Sequence, residues 1–368
     1  MSPDLMSRRG ILRTGAAAFA ASLLPLRGLH AQTPLVIGAI YVGPRDDFGW
    51  NQSHAAAMNI LRNVPGVTVV EEENVAETNA VSQTMESMIN LEGANLILAT
   101  SFGYYSPFVV DVAAKYPDVQ FRHCAPLWNA DTDPANAGSY FSYLNQAHYV
   151  NGVAAGLSSP SGLLGFVAAK PVQTVLSNVN SFLLGARSVN PDARVRVIFT
   201  GEWSMPVREA EATNALIDAG CDVIGCHVDG PKVVVETAEA RGVRTCGHNA
   251  DLSPLAPNGF ITGAESKWET VYTSYADALA AGKAPPNLIS GGYHNDMLRN
   301  TAFGAGATPE AIRAAEAAIA ALKDGKPVYT GPLKDNRGNL VIEGTMDNYA
   351  PELESMDYLL EGVIGATT

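Results

Sequence analysis

Residues able to do chemistry fall in short clusters, each just after an apolar run. Leu35–Val42 is followed by Arg45-Asp46-Asp47-Phe48-Gly49-Trp50-Asn51, and Asn95–Ser101 leads into Ser101-Phe102-Gly103-Tyr104-Tyr105. In the second half the corresponding clusters are Glu202-Trp203, His227-Val228-Asp229, His248-Asn249-Ala250-Asp251 and Glu265-Ser266-Lys267-Trp268. Three of the 4 tryptophans, with Phe48, Phe102 and Tyr104, lie in these clusters although only 8% of the chain is aromatic. Flat aromatic faces with amide and carboxylate groups at their edges suit a planar polar heterocycle. The ligand-binding set expected on this basis is Phe48, Trp50, Asn51, Ser101, Phe102, Gly103, Tyr104, Trp203, His227, Asp229, Asn249, Asp251 and Trp268.

Other chemistry can be drawn from the same residues. Asp46, Asp47, Asp229 and Asp251 could supply the paired carboxylates of an exported enzyme acting on a heterocycle or glycoside. A signalling receptor would share the binding chemistry. Yet there is no G-x-S-x-G, no H-E-x-x-H and no strand-linked G-x-G-x-x-G. Ala281-Gly282-Lys283-Ala284 lacks the flanking residues of a phosphate loop. Nothing sets a nucleophile beside a base, so a binding protein without catalytic residues, cofactor or metal is the expectation. Cys226-His227 and Cys246-Gly247-His248 invite a metal reading, but alternation along a strand sends Cys226 and His227 to opposite faces. Core thiols are the default for Cys226 and Cys246, with a disulfide left open. Lys267 reads as a solvated lysine, and Asp229 and Asp251 could equally be loop caps.

The elements that position these clusters repeat. One set of apolar, β-branched runs is Leu35–Val42, Val67–Val75, Asn95–Ser101, Val119–Ala125 and Tyr140–Leu144. The other is Leu163–Ala169, Val195–Gly201, Asp222–Val228, Val243–Asn249 and Gly259–Glu265. Their start-to-start spacings descend in parallel, 32, 28, 24, 21 and 32, 27, 21, 16. Helical patterns alternate with the runs: Asn79–Leu91 stripes Val81, Met85, Met88 and Ile89, and Thr308-Pro309-Glu310 opens a helix that Gly325 closes. The pattern predicts an α/β fold of two similar lobes, each a five-stranded, doubly wound parallel sheet with its ligand beyond the carboxyl ends of the strands. Helix Trp268–Ala281 follows the second set of strands and is expected to return to the first lobe. The lobes are expected at 32–154 with 267–300 and at 155–266 with 301–368; residues 331–351 read as loop or a small hairpin.

Ser7-Arg8-Arg9-Gly10-Ile11-Leu12-Arg13, then a short apolar run to Pro25, reads as a secretory signal of twin-arginine type cleaved near Ala31. The expected location is the periplasm. The 368 residues carry 24 Lys and Arg against 37 Asp and Glu, a formal charge of −13. Four of the arginines and one aspartate fall within residues 1–31, so the cleaved chain would stand at −16. Nucleic acid and anionic membrane are poor partners for such a surface.

Asp46-Asp47-Phe48-Gly49-Trp50-Asn51, Thr100-Ser101-Phe102-Gly103-Tyr104 and Phe182–Pro191 together resemble the basic membrane protein family. Ala219-Gly220-Cys221, Gly247-His248-Asn249-Ala250-Asp251 and Thr330-Gly331-Pro332-Leu333-Lys334 extend the likeness over roughly residues 34–340. Those proteins are solute-binding components of ABC importers, related to purine nucleoside receptors. The resemblance implies a type I periplasmic-binding-protein-like pair of lobes hinged around an interlobe cleft. It also implies a permease and a separate ATPase subunit as partners, with membrane contact only through the permease. Phe48 or Trp50 would stack on one face of a purine-like ring and Trp203 on the other, with Asn51 and Ser101–Gly103 at its edge. Asn249 stands where nucleoside-binding members carry an acid, and Ser266 where they carry a lysine. Those groups serve ribose, so a nucleobase is expected over a nucleoside.

Overall fold

Largely apolar strands buried on both faces, such as Leu35–Ile40, Leu96–Ala99 and Phe260–Ser266, anchor two mostly parallel sheets, each needing helices on both faces. The computed structural model describes residues 34–367; the expected signal and its cleavage point lie outside the described residues. The first sheet is built from β1 (Leu35–Ile40), β2 (Val67–Glu72), β3 (Leu96–Ala99), β4 (Gln120–Cys124) and β5 (Ala137–Ser142). The second uses β6 (Leu163–Ala168), β7 (Arg194–Phe199), β8 (Val223–His227), β9 (Arg244–His248) and β10 (Phe260–Ser266). Three later strands complete them: β11 (Leu288–Gly291), β12 (Leu298–Asn300) and, after four short strands between Tyr329 and Met346 (β13–β16), β17 (Val363–Ile364).

The expected five strands per lobe become six, in order β11-β5-β4-β3-β1-β2, and seven, in order β12-β10-β9-β8-β6-β7-β17. The added strands are short edge pieces from the last third of the chain, with no long apolar run to announce them. Every pairing in the two sheets is parallel except β10 with β12. Strand order reverses at β1 in one sheet and at β6 in the other. The loops after these two strands are therefore the natural ligand positions.

The helices are α1 (Trp50–Leu61), α2 (Asn79–Glu92), α3 (Val110–Lys115), α4 (Asn145–Ser158), α5 (Gln173–Val189), α6 (Pro206–Asp218), α7 (Lys232–Ala240), α8 (Trp268–Ala280) and α9 (Pro309–Lys323). Thr308 caps α9, its Oγ1 accepting the Ala311 N–H at 3.1 Å, with Pro309 in the first turn. Helix α8 packs into the β1–β5 core beside α1, through Trp268, Val271, Tyr272 and Tyr275.

Two expected lobe limits differ from the packing. Helix α4, placed by sequence with the first lobe, lies in the second core against α5. Its backbone nests there: a Cβ on Gly185 would come 1.9 Å from the Tyr149 carbonyl oxygen. Strand β12, also placed with the first lobe, pairs with β10. The chain thus passes between sheets after β5, after β10 and after β11, and the first two crossings touch through Ser142 Oγ and Ser266 Oγ at 2.6 Å. Residues 331–351 contribute to two small antiparallel pairs rather than one hairpin, β13 with β16 and β14 with β15. Among the described residues no helix is long and apolar enough to cross a membrane.

Candidate functional site

A cavity of about 410 Å³ lies between the carboxyl ends of the two sheets. Its aromatic corner is built on α1 and α8. Trp50 meets Trp268 edge-on, ring centroids 6.1 Å apart at 78°. Behind them His54 stacks flat on Trp268 at 4.8 Å and 8°, its Nδ1 2.6 Å from the Tyr272 hydroxyl. Trp50 Nε1 donates to the Thr100 carbonyl and Trp268 Nε1 to Ser53 Oγ, both at 3.2 Å. With their N–H groups satisfied inside the first lobe, both indoles are held before any ligand arrives.

The second lobe supplies the opposite wall. Trp203, following β7, stands 6.2 Å from the His227 ring, with the Lys170 ammonium 5.8 Å from its face. Asn178 Nδ2 lies 2.7 Å from His227 Nδ1, and His148 Nε2 lies 3.0 Å from His248 Nδ1. His227 and His248 both line the cavity. Burial pushes the His227 imidazole down to about 3 and holds His148 and His248 well below the usual range, so these rings are neutral at pH 7. Asn249 lines the cavity in the left-handed region at φ +67, a conformation asparagine tolerates.

Of the thirteen residues expected from sequence, nine line the cavity: Trp50, Ser101, Phe102, Gly103, Trp203, His227, Asp229, Asn249 and Trp268. Four do not. Phe48 reaches across to the second lobe instead, packing against the Val235–Leu252 cluster with the Lys232 ammonium 4.9 Å from its ring. Asn51 is buried in the first turn of α1, donating to Asp47 Oδ2 at 2.8 Å and accepting from the Gly43 N–H at 3.3 Å. Tyr104 is a core residue whose hydroxyl donates to the Val75 carbonyl. Asp251 caps the turn at Ser253, accepting its N–H at 2.9 Å. Asp251 therefore follows the loop-cap reading, and Asp229 sits in the cavity.

Sequence reasoning missed the loop after β6 with the start of α5, where Lys170, Val172, Gln173 and Thr174 line the cavity, and the Phe141–Asn145 crossing. The first follows the expected run Leu163–Ala169, so the rule that placed the other clusters would have found it; Phe141–Leu144 fall inside the expected run Tyr140–Leu144, which the structure ends at Ser142. Glu77 also lines it and accepts from Ser101 Oγ at 2.5 Å and the Gly103 N–H at 2.8 Å. Leu353 and Glu354 arrive from the C-terminal segment, where no motif marked them. Cys226 and Cys246 are free, buried thiols, and among the described residues no group of three His, Cys, Asp or Glu could hold a metal ion.

Comparison with known proteins agrees with this architecture. Residues 35–299 match the family model described as ABC transporter substrate-binding protein PnrA-like. A purine-binding protein of Brucella abortus is 34% identical over 337 residues, covering 91% of this chain and 94% of its own. A putative ABC transporter glucose-binding protein of Haloferax volcanii is 28% identical, covering 89% of this chain and 79% of its own. The solved structure of an ABC transporter solute-binding protein from Conexibacter woesei superimposes with a TM-score of 0.68 at 22% identity, covering 79% of this chain and 97% of its own. A match of that extent, on two α/β lobes with an aromatic cavity between them, places the chain in the Bmp family of PnrA-like ABC transporter substrate-binding proteins.

Proposed function

We propose that the protein captures a purine-like heterocycle outside the cytoplasm, a nucleobase in preference to a nucleoside, and delivers it to an ABC permease driven by a separate ATPase subunit. The carrying observation is the fixed Trp50–Trp268 corner facing Trp203 across the cavity. Asn249 and Ser266 line that cavity, while Lys267 is ion-paired with Asp296 away from it. The groups expected to clamp ribose are thus an amide and a hydroxyl, and Ser266 is already engaged with Ser142. The name of the Brucella relative supports a purine; that of the Haloferax relative keeps sugar in the test. A ligand touching both lobes stabilises their closed arrangement by its extra contacts, and the closed shape is what a permease would read. No covalent step is needed.

The test is a thermal-shift panel on protein unfolded and refolded to strip carried-over ligand. A ligand at about 100 times its dissociation constant adds roughly 2.7 kcal/mol, enough to raise Tm measurably. Shifts with purine bases support the reading. A nucleoside binding at least tenfold more tightly than its base overturns the nucleobase preference, and a response to sugars alone overturns the heterocycle.

A further inference from the structure

We infer that Asp229 is a specificity-determining residue, whose carboxyl pairs with a heterocycle edge carrying one hydrogen-bond donor beside one acceptor. This rests on the heterocycle reading of the cavity. Asp229 follows β8 and lines the cavity. Its backbone is fixed on both sides, the N–H donating to the Trp203 carbonyl and the carbonyl accepting the Trp50 N–H, each at 2.8 Å. Its carboxyl, by contrast, has no hydrogen-bond or ion-pair partner among the described residues. An acidic side chain that lines the cavity on a backbone fixed at both ends, yet is itself unengaged, is positioned for a ligand.

The charges around it decide its form. Asp47 and Glu77 face it from the first lobe and Glu209 from α6, all carboxylates. The cation that opposes them is Lys170, which is bound to Glu202 at 2.7 Å. Lys232 lies against Phe48, and His227 and His248 are neutral. A further negative charge is unfavourable there. Burial first, then the neighbouring carboxylates, raise Asp229 to about 8, so at neutral pH it is a carboxylic acid. An acid offers one O–H donor and one carbonyl acceptor side by side. Its complement is an acceptor beside a donor, as in adenine (ring nitrogen and amine) or hypoxanthine (carbonyl and ring N–H). An edge of two donors calls instead for the ionised carboxylate.

The experiment is calorimetric titration with adenine at pH 6, 7, 8 and 9, on the full protein and on Asp229→Asn and Asp229→Leu. The expected result is an affinity level from pH 6 to 7, falling as pH rises and approaching about tenfold per unit above pH 8. Asp229→Asn, whose amide keeps one donor and one acceptor, is expected to retain adenine and lose that pH dependence. Asp229→Leu, with its Tm checked, is expected to weaken adenine at least tenfold. An affinity flat or rising from pH 6 to 9, or an unaffected Asp229→Leu, overturns the inference while leaving the heterocycle reading in place. Failure of every purine base to bind the wild-type protein overturns that reading and this inference with it.

Discussion

The amide N–H of Trp50, in the first lobe, donates to the carbonyl oxygen of Asp229, in the second, at 2.8 Å. The lobes come this close because residue 49 is glycine. A Cβ there would lie 1.8 Å from that carbonyl oxygen and 2.7 Å from Pro231 Cδ. Asp47 holds the turn rigid, accepting from the N–H groups of Gly49, Asn51 and Gln52 at 2.8, 3.0 and 3.0 Å. Phe48 then seats on the Val235–Leu252 surface beside it. Ligand wall and lobe contact therefore share one helix start.

Gly49→Ala is expected to block that approach and weaken the ligand on the order of tenfold, because affinity depends on the fraction of protein able to close. The Tm of the ligand-free protein should change little. Titration calorimetry alongside a thermal melt reads both quantities; undiminished affinity would show that closure tolerates the methyl group.

Trp203→Ala is expected to weaken an aromatic heterocycle by about 1–3 kcal/mol, the scale of losing one stacking wall. Tryptophan fluorescence of the remaining indoles reports the binding curve. If the dissociation constant does not move, Trp203 is a rim residue.

Asn51→Ala should act on stability instead of recognition. Removing its bonds to Asp47 and Gly43 loosens the turn before α1, at about 1 kcal/mol per hydrogen bond lost. Urea denaturation measures the loss. A large fall in affinity with unchanged stability would return Asn51 to the ligand.

Acid should destabilise the protein by driving its buried, neutral histidines to ionise. Burial lowers His54 and His227 to about 3 and His123 to about 4, and holds His148 and His248 well below the usual range. Each folded-state value lies below the unfolded 6.5, so the stabilisation is complete above pH 6.5 and is lost as pH falls toward those values. Each such histidine costs about 1.4 kcal/mol per pH unit in that window. Tm measured from pH 7.5 to 5 should drop steeply, and His54→Phe should flatten the slope; a constant Tm contradicts the assignment.

The sequence by itself determined the strand series and the places where ligand groups gather. Runs such as Leu35–Ile40 are buried on both faces, so they must be apolar along their whole length, and that shows in one dimension. Chain reversal beyond their ends put Trp50, Phe102, Trp203 and Asn249 within reach of one cavity. Tertiary structure decided the rest. Phe48 and Trp50 are two residues apart and equally aromatic; the left-handed φ of +58 at Phe48 helps turn one ring to the opposite lobe while the other faces the cavity. Helix α4 follows a first-lobe strand, and the glycine-lined surface it shares with α5 assigns it to the second core. Asp229 and Asp251 could each have been a loop cap by composition. Only the fold shows that Asp251 accepts its own turn's N–H while Asp229 is left unpaired facing the cavity, because partners are set by where distant segments such as Glu77, Lys170 and Glu209 come to rest.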